Sequence, residues 1–141
     1  MDSALEQPVL VDTGPIVAIL FSSDEHHRRC VEQLHGIKGR LLTCWPVIAE
    51  VAWLPRSHSQ ALGLLLSSFR GRPFELLSMD ESDLAGIAAI LAKYQGLGIQ
   101  LADAALVHLR IGEGIETVFT LDRRDFGVLR LARGKKFRVI P

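Results

Sequence analysis

Four carboxylates in this chain stand where a soluble fold has least use for charge. Asp12 ends the apolar run VLV, Glu50 lies in PVIAEVAWL, Asp103 in LADAALV, and Asp122 ends VFTL. A carboxylate among apolar neighbours is costly unless it is paired, protonated or bound to a cation. The sequence around Glu50 and Asp103 offers no base to pair with. One cation held by several carboxylates answers all four demands at once. Hard oxygen donors with no Cys/His set beside them select Mg²⁺ or Mn²⁺ over zinc. Each acid also has a plainer reading: Asp12 as a turn or cap, Asp103 as a first-turn acid, Asp122 as the opening of a turn with Arg123. Glu50, within a turn of Pro46, Val47, Trp53 and Leu54, has no capping role. It is the set that carries information.

Other chemistries lack their residues. The sequence has no phosphate loop, dinucleotide fingerprint, GxSxG or HExxH. His26 and His27 are adjacent, so on a helix they cannot chelate one ion. Cys30 and Cys44 have no CxxC spacing and read as free thiols in a reducing cytoplasm.

Short apolar runs at 9–12, 41–43, 73–77, 118–121 and 137–140 read as strands. Between them, helical spacing or caps predict helices over 16–21, 24–35, 46–54, 57–69, 80–94 and 101–112, with a turn and short helix after Asp122. In the 80–94 helix the expected core face is Leu84, Ile87, Ala88 and Leu91. Short apolar strands alternating with helices predict an α/β fold, a mostly parallel central sheet flanked by helices. In such sheets the carboxyl ends of the strands line the ligand crevice, and Asp12 and Asp122 each sit at such an end. Asp103, in the first turn of its helix, faces the same edge, and Glu50 is one turn into the helix after the second strand.

With 48% hydrophobic and 23% charged residues, the 141-residue chain reads as a single soluble domain over 1–141. No apolar stretch reaches the 18 residues or so that a membrane span needs. Residues 1–8 are acidic and polar, so no secretory signal is expected and the location is cytoplasmic. Net charge is zero but unevenly placed: residues 122–141 sum to +5 and residues 1–121 to −5. The basic segment reads either as a contact for an anionic partner such as nucleic acid or as a solvated tail.

Taken in order, VLVDTGPIVAIL, VIAEVAW, LADAALVHL and VFTLDRRDF resemble the PIN-domain ribonucleases, in particular the toxin half of VapBC-type toxin–antitoxin pairs. The resemblance covers nearly the whole chain. It implies a PIN-like parallel sheet flanked by helices and an acidic metal site on Asp12, Glu50, Asp103 and Asp122. It adds Asp125 as a further acid and Thr13 and Thr120 as hydroxyls supporting the first and fourth acids. The implied reaction is Mg²⁺- or Mn²⁺-assisted hydrolysis of RNA phosphodiesters, which needs no side-chain nucleophile. The implied partners are RNA, a small DNA-binding antitoxin and a second copy of the chain. Arg123, Arg124, Arg130, Lys135 and Lys136 are candidates for RNA phosphates on charge alone. The chain departs from the family pattern at Gln100-Leu101, where a Ser or Thr often caps the helix carrying Asp103.

Competing readings stay open at this level. A haloacid-dehalogenase phosphatase wants its second Asp where this chain has Gly14, and a phospho-receiver wants a strand-end Lys that is not evident. A PIN-fold binding or assembly module without catalysis, and a non-toxin RNA-processing nuclease, are the remaining alternatives. Leu62, Leu65, Leu66 and Phe69, with Trp53 nearby, read either as core or as part of a dimer face.

Overall fold

Strand β1 (Val9–Val11) is the centre of the molecule, with all three side chains fully enclosed. Such a run, apolar on both faces, belongs in the middle of a parallel sheet covered on both sides by helices. The computed structural model describes residues 6–54, 59–70 and 73–141. Around β1 are β2 (Leu41–Thr43), β3 (Phe74–Leu76), β4 (Thr117–Phe119) and β5 (Arg138–Ile140), in the order β3-β2-β1-β4-β5. Every pairing is parallel, with Leu10 opposite Leu42 on one side and Val118 on the other. The sheet expected to be mostly parallel is wholly so.

Among the described residues the helices are α1 (Thr13–Leu20), α2 (His27–Gly36), α3 (Trp45–Trp53), α4 (Ser59–Ser68), α5 (Leu84–Lys93), α6 (Leu101–Leu109) and α7 (Arg123–Val128). None is long and apolar enough to cross a membrane. From β1 the chain moves outward to β2 and β3, then returns to the other side of β1 for β4 and β5. The strand order therefore reverses between β1 and β4, which is where an open parallel sheet leaves a crevice at its carboxyl edge.

The helix carrying Asp103 is the most deeply set. Ala102, Asp103, Ala104, Ala105, Leu106, Val107 and Leu109 of α6 are all buried, and the small residues let α3 and α5 approach closely. Gly86 of α5 faces His108 of α6, and a Cβ there would stand 2.3 Å from His108 Cε1. His108 Nε2 is in turn 3.0 Å from Asp83 Oδ1.

Several details differ from the sequence expectation. The 24–35 helix begins only at His27, because the Asp24 carboxylate accepts the His26 amide proton at 2.8 Å and closes a turn first. The 80–94 helix is a 3-10 turn over Glu81–Asp83 followed by α5. Of its expected core face only Ile87 is buried, Leu91 is partly covered, and Leu84 and Ala88 are exposed. Only a narrow stripe of this outer helix meets α6. The start of the 57–69 helix lies outside the described residues. On α4, Leu65 is core, Leu62 packs against the core, as does Phe69 just after the helix, and Leu66 faces solvent, as does Trp53. Cys30 and Cys44 are buried free thiols.

Candidate active site at the carboxyl edge of the sheet

Asp12 leaves β1 at the reversal point and is 7% exposed. It holds the N-cap position of α1, yet its carboxylate makes no capping hydrogen bond. Instead the Thr120 hydroxyl, arriving at the end of β4, donates to Asp12 Oδ2 at 2.8 Å. The same Thr120 oxygen accepts the Asp122 amide proton at 2.9 Å. One hydroxyl thus fixes the first acid and the backbone of the fourth. Thr120→Val, which keeps the shape and removes both bonds, is expected to cost about 1–2 kcal/mol of stability. It should also lower any phosphodiester cleavage by roughly 10- to 100-fold. Thr120→Ser should restore both; thermal melting and rate measurement on the same preparations check this.

Asp103 is 9% exposed. The missing Ser or Thr cap turns out to be no defect, because Asp103 Oδ2 accepts the Gln100 backbone N–H at 3.0 Å and so fixes its own helix entrance. Asp122 is exposed and caps α7, its Oδ1 accepting the Asp125 amide proton at 2.9 Å. Glu50 is half-buried on α3. Its apolar sequence neighbours Trp53 and Leu54 are themselves exposed, so the acid stands at the mouth of the crevice and not within the core.

The four acids share one field. Burial pushes the Asp12 carboxyl up from 3.8 to about 6, against the Thr120 hydroxyl and the Thr13 amide, and the charges of Glu50 and Asp122 push the same way. Burial raises Asp103 further, from 3.8 to about 7, followed by Asp12 and then by Glu50 and Asp122. Desolvation and like charge both disfavour the ionised form, and together they mark a site that stores repulsion until a cation or proton relieves it. Asp125 stands one step outside. Its carboxyl is raised by burial and by contact with Asp122.

These donors fit a hard divalent cation in charge and type. Two further observations bear on the fit. The Thr13 hydroxyl, next to Asp12, is enclosed and has no hydrogen-bond partner among the described residues. No three His, Cys, Asp or Glu side chains among those residues close on a single point, since Asp103 is turned onto the Gln100 amide and Asp122 onto that of Asp125. A small cation that keeps most of its water needs only one or two direct carboxylates, so an open set of this kind suffices.

The basic segment does not gather at this edge. Arg123 and Arg124 flank the crevice beside Asp122, with the Arg123 guanidinium bonded to the Pro141 carbonyl. Arg130 folds back onto the carbonyls of Gly127 and Leu129. Lys135 and Lys136 lie just before β5, at the amino edge of the sheet and away from the acids. Sequence reasoning passed over Thr43, whose buried hydroxyl donates to the Val11 carbonyl at 2.9 Å and ties β2 to β1 beside Asp12. Its signal was a lone hydroxyl inside the apolar run LLTCW.

Residues 9–131 match the PIN domain family. This chain belongs to the PIN-domain family. Over 135 residues it is 31% identical to Ribonuclease VapC26 of Mycobacterium tuberculosis, covering 94% of this chain and all of that protein. Its fold is similar to Mycobacterium tuberculosis VapC20, a toxin that cleaves the sarcin–ricin loop, with a TM-score of 0.69 at 15% identity over 82% of this chain and 91% of that one. It is also similar to VapBC2 of Rickettsia felis bound to a promoter DNA fragment, with a TM-score of 0.63 at 13% identity over 95% and 99%. A toxin–antitoxin complex from Klebsiella pneumoniae gives 0.62 at 19% identity over 94% and 96%. The PIN assignment removes the phosphatase and receiver alternatives.

Proposed function

We propose that this PIN domain is a divalent-cation-dependent endoribonuclease, acting in the cytoplasm as the toxin of a toxin–antitoxin pair and held in check by a small DNA-binding antitoxin. The family supports the ribonuclease class, and the VapC relatives support the toxin role. The observation that carries the metal requirement is the pair of buried carboxyls, Asp12 and Asp103, each raised by burial and by the other acids.

Asp12 and Asp103 would hold Mg²⁺ or Mn²⁺ directly, with Glu50 and Asp122 bound directly or through water and Asp125 in reserve behind Asp122. When bound, the cation supplies charge neutralisation at the phosphate and leaving oxygen and a lower pKa for the attacking water. The chain's own residues do the positioning. Thr120 orients Asp12, the Gln100 amide orients Asp103, and both carboxyls are largely shielded from water. Thr13 contributes an enclosed hydroxyl beside Asp12, and Arg123 and Arg124 sit where a substrate phosphate enters.

Metal-stripped protein incubated with labelled structured RNA and with single-stranded DNA is expected to cleave the RNA after Mg²⁺ or Mn²⁺ is added and to stop in EDTA. Cleavage that persists in EDTA contradicts the metal requirement. RNA left intact by folded, metal-loaded protein favours the non-catalytic binding module.

A further inference from the structure

At the end of the sheet remote from the carboxylates, the amino ends of β1, β4 and β5 open a cleft of about 420 Å³. Lys135, Lys136 and Arg138 line it, and the one acid among its described lining residues is Glu116, which Lys135 holds at 2.6 Å. Behind the lining residues Ile115 and Phe137 lies a fourth cation. The Arg110 guanidinium donates to the Ile115 carbonyl at 3.2 Å and stands 5.9 Å from the Phe137 ring centre. Its Nε is enclosed with no partner among the described residues. Among the described lining residues three cations face one acid, an excess of positive charge that an anion would relieve.

The carboxyl edge has the opposite character. Asp12, Glu50, Asp103, Asp122 and Asp125 outnumber Arg123 and Arg124 there, so a polyanion is repelled from the reacting edge unless cations elsewhere hold it. Asp12 and Pro8 are four residues apart along extended chain, roughly 13 Å at about 3.3 Å per residue. An RNA chain longer than a few nucleotides can therefore touch both edges. The open side of β5 joins them, with Arg123 and Arg124 at one end and Lys136 and Arg138 at the other. We propose that the amino-edge cleft is a phosphate-backbone exosite, which anchors RNA by its phosphates while the distant carboxylate crevice acts on the strand passing β5. The substrate role of this site rests on the ribonuclease reading above.

The test measures affinity for a fluorescein-labelled RNA hairpin by anisotropy across a KCl series in EDTA. It compares the wild type with Lys136→Glu and with Lys93→Glu, which makes the same charge change on exposed α5. Both positions are at the surface, and melting curves confirm the fold. The exosite predicts that Lys136→Glu weakens binding about five- to tenfold and flattens the salt slope by about one, while Lys93→Glu stays within about twofold. Equal weakening by both variants, or none by either, overturns it. Metal-dependent cleavage by a wild type whose affinity ignores Lys136 leaves the nuclease and removes the exosite. Salt-sensitive binding that maps to Lys136 without any cleavage does the reverse.

Discussion

Replacing Asp103 with asparagine is expected to reduce RNA cleavage on the order of 1,000-fold or more while making the metal-free protein more stable at pH 8. The two effects have one cause. Asp103 ionises at about 7 in the fold against 3.8 ordinarily, chiefly through burial and next through the charge of Asp12. Between those values the folded protein holds a proton that the unfolded chain has released. Stability therefore falls as pH rises through that window, and the full penalty stands above it. At 1.36 kcal/mol per pH unit, and discounted for screening at the open side of the crevice, the penalty is about 1–3 kcal/mol. The amide still accepts the Gln100 N–H, so the cap survives while the charge goes. For a domain of this size the gain at pH 8 corresponds to a rise in melting temperature of roughly 3–10 °C, absent at pH 4. Activity lost together with stability at pH 8 would show that Asp103 is only a structural acid.

The second large effect lies at the other edge. Gly39→Ala should destabilise the fold by about 3 kcal/mol or more and lower the melting temperature by roughly 10 °C. A Cβ at Gly39 would stand 2.0 Å from the Gln7 carbonyl oxygen and 2.6 Å from its carbon, both backbone atoms that no rotamer change can move. The clash falls where the chain enters β1 and β2, beside the Val9 N–H to Arg40 carbonyl bond of 2.8 Å. Relief means prising apart the two strands that position Asp12 and α3. Gly63 provides the contrast: it sits inside α4 with nothing within 4 Å of the added methyl. Gly63→Ala is expected to raise stability by about 0.5–1 kcal/mol through helix propensity alone. Thermal melts of the two variants side by side separate steric need from a general dislike of alanine.

The order of elements was legible because VLV, LLT and VFTL are short, apolar on both faces and bounded by turn residues, which leaves few ways to arrange them. Asp12 and Asp122 could be placed at one sheet edge by that reading. The double use of Thr120 could not, because it depends on the register between β1 and β4, which no local pattern encodes. Glu50 was read as enclosed by Trp53 and Leu54 because α3 is apolar almost all round, and periodicity cannot say which apolar face meets water. The basic segment read as one patch. The chain reverses between Arg130 and Lys136, through left-handed Arg133 and Gly134, and carries Lys135 and Lys136 along the sheet to its far edge. Asp103 was read both as a first-turn acid and as a site acid, and its geometry answers to both: one oxygen caps α6 while the carboxyl stays within the field of Asp12.

Titration of metal-stripped protein with Mn²⁺, followed by calorimetry in two buffers of different ionisation heat, tests the central claim most directly. A carboxylate centre with Asp12 near 6 and Asp103 near 7 predicts saturable Mn²⁺ binding at pH 7 with release of protons, because the cation displaces those the acids still hold. Asp12→Asn should weaken that binding by at least about tenfold. Mn²⁺ binding that is undetectable at millimolar concentration, or equally strong in the variant, would contradict a metal centre at this edge of the sheet.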